Sequence, residues 1–219
     1  TMLCTQEEMN ASAVKVHKAN LQLVINAMGD KAVDAALTAI EETSKEARGK
    51  ELRNRIEQAA LLNEELIERM KKQKVIVSVQ PRVIDSEFSV WSAAEHLGAK
   101  RARWLYPLKT LLGEGIRVSG GSDCPMEPLS PLLGIQAAVT REFFPEERIT
   151  VDEALRMYTI EAAFSSGEES DKGSIEPGKL ADLTVLACDP RIVQLNEIAN
   201  ITVEMTIIGG RAVSSKHRE

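Results

Sequence analysis

Residues 1 to about 170 alternate between short β-type runs and helical stretches; from about 173 onward the alternation stops. That change of rhythm limits the fold more than any single motif does. Leu21-Gln22-Leu23-Val24-Ile25-Asn26 reads as a buried strand ended by Gly29-Asp30. Lys31 to Ala47 follows at helical spacing, with Val33, Leu37 and Ile40 on one face. Leu52 to Glu57, Val75 to Gln80 (stopped by Pro81) and Ile116 to Gly121 are three further strands. Asn63 to Lys72 is predicted as a helix capped by Asn63, and Lys100 to Leu112 as one that Pro107 kinks or divides. Leu132 to Glu142 and Val151 to Ser165 are predicted helices. Thr150 and Glu153 form a capping box at the start of the second.

Gly173 to Lys179 is turn-rich, and Leu183–Leu186, Ile201–Ile208 and Arg211–Ser215 read as strands. Gly209-Gly210 between the last two is a hairpin signal. Thr202, Glu204 and Thr206 alternate with Val203, Met205 and Ile207, which predicts one wet face and one buried face. The expected organisation is a βα part over residues 1–170 and a small antiparallel β segment over 171–219. Four parallel strands with crossover helices fit a small open sheet or half of an eight-stranded barrel, and periodicity does not choose between them.

Composition excludes several function classes. A net charge of −6 without a basic stripe argues against nucleic acid as a partner. No apolar run approaches the roughly 18 residues of a membrane span, and Thr1-Met2-Leu3-Cys4 begins no signal peptide. Cys4, Cys124 and Cys188 are odd in number and far apart, which fits neither a disulfide framework nor a zinc cluster and suits a reducing cytoplasm. Only three histidines are present, His17, His96 and His217, few for an enzyme that holds a metal.

The chemistry points to Val118-Ser119-Gly120-Gly121-Ser122-Asp123-Cys124-Pro125-Met126-Glu127-Pro128. A β-type run ends in two glycines, a lone Asp and a proline-rich loop. That puts the Asp123 carboxylate at the C-terminal end of a strand, where α/β barrels keep their catalytic groups. Elsewhere, Asp30 is expected to cap the following helix and Glu57 to pair with Arg53 or Arg55. Cys124 is expected to be buried, Trp91, Trp104 and Tyr106 to pack in the core, and Lys100 to Arg103 to form a solvated helix face.

Several segments resemble the metal-dependent amidohydrolases, specifically the C-terminal half of amidohydrolase family 3. Asn26-Ala27-Met28-Gly29-Asp30-Lys31-Ala32-Val33-Asp34 is similar to that family's His-Ala-x-Gly-Asp-x-Ala-Val-Asp. Arg53-Asn54-Arg55-Ile56-Glu57-Gln58-Ala59 is similar to Arg-His-Arg-Ile-Glu-His-Ala. Ser78-Val79-Gln80-Pro81, Gly121-Ser122-Asp123-Cys124-Pro125 and the tail Lys172 to Leu183 carry the rest of the likeness.

The resemblance implies half of a TIM-type (β/α)₈ barrel, strands five to eight, followed by part of a composite β-sandwich. It implies hydrolysis of non-peptide carbon–nitrogen bonds by a metal-activated water, with Asp123 as metal ligand and proton acceptor. The family's histidine positions fall on Asn26, Asn54 and Gln58. Amide oxygens are hard, weak ligands, so no metal is expected in this chain; zinc or another divalent ion would belong to an intact site. Inactivity is therefore expected for the chain by itself. The alternatives are a hydrolase completed by an upstream segment or second polypeptide, a metal-free module binding a small molecule, and a structural remnant. Unpaired edges at 21–26 or 116–121 predict a homo-oligomer.

Overall fold

A computed structural model describes residues 2–46, 53–88 and 93–215. The chain forms two compact units. One comprises Thr1–Val79 with Glu87–Val118, the other Gln80–Ser86 with Ser119–Glu219. The β segment of the tail shares the second unit with the helices from Pro131 onward.

Four strands, β1 (Val24–Ala27), β2 (Arg55–Gln58), β3 (Ile76–Val79) and β4 (Val118–Gly120), lie in one sheet in the order of the chain. The β1–β2 and β2–β3 pairs are parallel, with Val24 opposite Arg55 and Arg55 opposite Ile76. The Val77 N–H donates to the Arg117 carbonyl (3.0 Å), joining β3 to the start of β4.

Helix α1 (Gln6–Lys18) precedes β1 and opens with a capping box of Thr5 and Glu8. The sequence carries this cap as Thr5-x-x-Glu8, a signal contained within four residues. Helix α2 (Asp30–Glu46) buries Val33, Leu37 and Ile40 on one stripe, as their spacing dictates. Each such side chain contributes roughly 1.5–3 kcal/mol on burial. Helix α3 (Glu64–Gln73) starts at Asn63, whose Oδ1 accepts the Leu66 N–H at 2.8 Å. A π-helical turn (Ile84–Phe88) and α4 (Ala93–Leu97) follow β3, and neither has a sequence counterpart. The next helix is divided, as expected, into α5 (Ala99–Ala102) and α6 (Leu108–Gly113): the Tyr106 N–H donates outside it to the Ala60 carbonyl at 2.9 Å, and Pro107 stands at the start of α6.

In the second unit, α7 (Pro131–Thr140) is followed by α8 (Val151–Met157) and α9 (Ile160–Ser165). The Thr150–Glu153 box caps α8 as expected. The single helix expected over Val151–Ser165 breaks at Tyr158 and Thr159, where Tyr158 is held by residues distant in sequence (below).

Strands β5 (Leu183–Leu186), β6 (Val203–Ile208) and β7 (Arg211–Ser215) form an antiparallel sheet. Gly209 and Gly210, both at positive φ, make the two-residue turn between β6 and β7. The expected buried face of Val203, Met205 and Ile207 is a correction. Val203 is exposed and the other two are half-buried: alternation sets which residues share a face of β6, but burial needs another layer to cover that face. Among the described residues no helix is long and apolar enough to cross a membrane.

Candidate functional site

Val118 and Ser119 are buried, and β4 ends at Gly120, where a Cβ would lie 2.7 Å from the Tyr158 ring. The chain then turns outward. Asp123 is exposed, at φ +55, a left-handed conformation that Asp tolerates better than most residues. Its carbonyl accepts the Met126 N–H at 2.9 Å. Cys124, expected to be buried, is exposed with the rest of this turn. Behind the loop the Tyr158 hydroxyl donates to the Gly121 carbonyl at 3.5 Å. Burial holds that phenol well above its ordinary pKa, so it stays a donor.

The three amides lie in the first unit. Asn26 on β1 is exposed and sits beside Glu57 in register, while Ala27 sits beside Gln58. Strict alternation would put Gln58 on the face opposite Asn26. Gln58 and Ala59 instead take positive φ, ending the strand geometry there. The Gln58 Oε1 accepts the hydroxyl of fully buried Tyr106 at 3.0 Å. Asn54 is buried at the start of β2, and its Oδ1 has no hydrogen-bond partner. Four residues of strand separate it from Gln58, roughly 13 Å. Asn54 and Gln58 therefore cannot share one ion.

Glu57 pairs with Arg55. Asp30 accepts the Lys31 N–H at 2.9 Å and pairs with Arg101 at 2.6 Å. His17 lies in α1 and His96 in α4; His217 and Trp91 lie outside the described residues. Among the described residues no three His, Cys, Asp or Glu side chains converge. A donor set of two amides, one of them already accepting from a tyrosine, does not fit zinc, which takes thiolate, imidazole or carboxylate.

Sequence reasoning missed a charged cluster in the second unit. Glu127, buried, accepts the Ser86 hydroxyl, and its Oε2 lies 3.8 Å from the Arg82 Nε. The Asp85 Oδ2 lies 3.7 Å from Nη1 of the same guanidinium. Burial raises the Asp85 carboxyl above its usual range, against the pull of Arg82 and Arg141. Arg141 is fully buried and donates from Nε to the Phe143 carbonyl at 2.7 Å. Burial lowers its guanidinium to about 10, opposed by Glu147 and Asp85. The lone acid between Met126 and Pro128 was the one available signal; nothing in the sequence around Arg141 announces its burial.

A groove of about 1080 Å³ runs between α1 and β1 in the first unit. Met9, Ser12 and Val16 line one side and Leu23, Ile25 and Asn26 the other.

The amidohydrolase family model matches residues 1–214. The chain belongs to the amidohydrolase family. Among family relatives, YtcJ of Bacillus subtilis strain 168 is 34% identical over 212 residues, 92% of this chain and 39% of that protein. The N-substituted formamide deformylase of Arthrobacter pascens is 33% identical over 217 residues, 94% of this chain and 39% of the relative. A metal-dependent hydrolase from Pyrococcus horikoshii OT3 superposes with a TM-score of 0.77 at 33% identity, covering 89% of this chain and 39% of its own. The chain thus spans about two fifths of the length of the curated relatives it matches.

Proposed function

We propose that the chain is the C-terminal portion of an amidohydrolase barrel, β1 to β4 standing for strands five to eight, joined to part of the family's composite β domain. Its reaction class is hydrolysis of non-peptide carbon–nitrogen bonds, and Asp123 is the carboxylate retained from that chemistry. The chain by itself is inactive. The observation that carries this reading is Gln58, an amide whose oxygen is committed to the buried Tyr106 hydroxyl where the family would place an imidazole. Neither Asn26 nor Gln58 has a basic nitrogen to bind zinc or to accept a proton at neutral pH. Three exposed, unpaired cysteines support a reducing compartment such as the cytoplasm.

The test is metal analysis after dialysis, together with an assay on an N-substituted formamide, the substrate class named for the Arthrobacter relative. Little or no zinc and no turnover are expected. One tightly held zinc per chain, or hydrolysis by the chain alone, overturns the reading. Asn26→His combined with Gln58→His should raise zinc affinity only modestly, because two imidazoles leave a tetrahedral site half filled.

The proposal extends to assembly. β1 is the end strand of its sheet, and Leu3, Leu21, Val24 and Met28 near it are exposed. Open edges and contiguous apolar surface recruit a second chain. A symmetric pair of these chains through the β1 side is expected. Light scattering at micromolar concentration should read twice the 24.1 kDa of one chain. A monomer counts against it. A small apolar ligand in the α1–β1 groove is the second reading, favoured by the size of that groove. A ligand-induced rise in melting temperature without dimerisation would select it.

A further inference from the structure

The loop that carries Asp123 is tied down at both ends. On one side the Tyr158 hydroxyl holds the Gly121 carbonyl. Asp123 then closes a tight turn through its own carbonyl and the Met126 N–H. The next residue, Glu127, is the one member of the run 123–128 that is buried. Its carboxylate reaches the loop after β3, where it accepts the Ser86 hydroxyl and faces the Arg82 guanidinium. The Arg82 Nε is itself buried and makes no hydrogen bond, and the guanidinium lies within 4 Å of two carboxylates, 3.8 Å from Glu127 and 3.7 Å from Asp85.

We propose that Glu127 is a positioning residue: its carboxylate, clasped by Ser86 beside Arg82, fixes the loop that presents Asp123. The physical reason is economy of freedom. A turn of exposed residues has little apolar surface with which to order itself. A buried acceptor at its far end supplies the missing restraint, because a carboxylate in a desolvated setting binds a hydroxyl and a cation more firmly than it does in water. The clasp joins the segments after β3 and after β4, so the position of Asp123 depends on the segment after β3 as well as on its own strand. The inference rests on the reading of Asp123 as the retained carboxylate.

The test compares Glu127→Ala with Glu127→Gln in the full chain, by amide hydrogen exchange of residues 121–127 and the carboxyl carbon resonance of Asp123 at fixed pH. Glu127→Ala should speed exchange across the loop at least tenfold and shift the Asp123 resonance, while exchange in α2 and β2 stays unchanged. Glu127→Gln keeps an oxygen for Ser86 and should restore most of the protection; if it loosens the loop as well, the Arg82 charge is the stronger half of the clasp. Should Glu127→Ala not fold, Ser86→Ala reads the same quantities. Unchanged exchange and an unmoved Asp123 resonance in a folded variant overturn the proposal. Zinc retention tests the reading of the site and loop exchange tests the clasp, so either can fail without the other.

Discussion

Gly134→Ala should lower the melting temperature by on the order of 10 °C, a few kcal/mol for a chain of this size. The sign is the informative part. Alanine is the best helix former, and replacing an interior helical glycine normally stabilises by about 1 kcal/mol. Gly134 lies within α7, so propensity alone predicts a gain. Its Cβ, however, would stand 1.8 Å from the Tyr158 hydroxyl oxygen and 2.8 Å from the carbon that bears it. The tyrosine would have to shift, and Gly120 already lies against the same Cε2–Cζ edge of its ring, where a Cβ would stand 2.7 Å away. The shift also forfeits the bond to the Gly121 carbonyl. Tyr158→Leu in the Gly134→Ala background removes the hydroxyl and the carbon behind it, and should recover part of the loss. The two changes should therefore be coupled in a double-mutant cycle. A Gly134→Ala chain melting at or above the parent temperature would mean the slot is not as tight as the geometry states.

The second large effect is at Ile198. This side chain is fully buried in the 3₁₀ turn Leu195–Asn200, which packs against α7. The Ala199 N–H fixes the same turn by donating to the Gln136 Oε1 at 2.8 Å. Ile198→Ala should cost about 2–5 kcal/mol, as large-to-small changes in closed cores do. The hairpin beyond it should matter far less, because Val203, Ile208 and Val213 are all exposed. A chain ending at residue 202 should melt within a few degrees of the parent. A chain ending at 172 should lose solubility, since it sheds buried Ile198 and Ile201 and bares the face of α7 that the Leu195–Asn200 turn covers. Equal behaviour of the two truncations in a thermal melt would contradict this division of the tail.

The fold was legible where local chemistry decides it. Asn63, the Thr150–Glu153 box, Pro107 and Gly209-Gly210 each act within a few residues, and each appears in its expected role. The break at Tyr158 was illegible for the opposite reason: the ring packs against a pair of glycines 38 and 24 residues earlier in the chain. The open face of β6 misled because alternation reports which residues could share a face, not whether anything covers it. In the site, spacing alone did not reveal that Asn54 and Gln58 stand at opposite ends of β2; four residues are one turn of a helix but most of a short strand. Glu127 escaped notice because its burial depends on Ser86 and Arg82, 41 and 45 residues earlier.

The strand order β1-β2-β3-β4 also bears on how the chain is made. Each of β2, β3 and β4 lies beside the strand synthesised just before it, so each can pair as soon as it leaves the ribosome. At roughly 5–20 residues per second, β1 waits only seconds for β2, and β2 for β3. Such nearest-neighbour pairing keeps contact order low for a parallel sheet, a class in which folding is otherwise slow. The growing edge of the sheet moves forward with translation, while among the described residues no strand pairs with the far edge of β1. Crowding on a polysome, where neighbouring nascent chains all present that same edge, is thus the condition under which misassembly should first be seen.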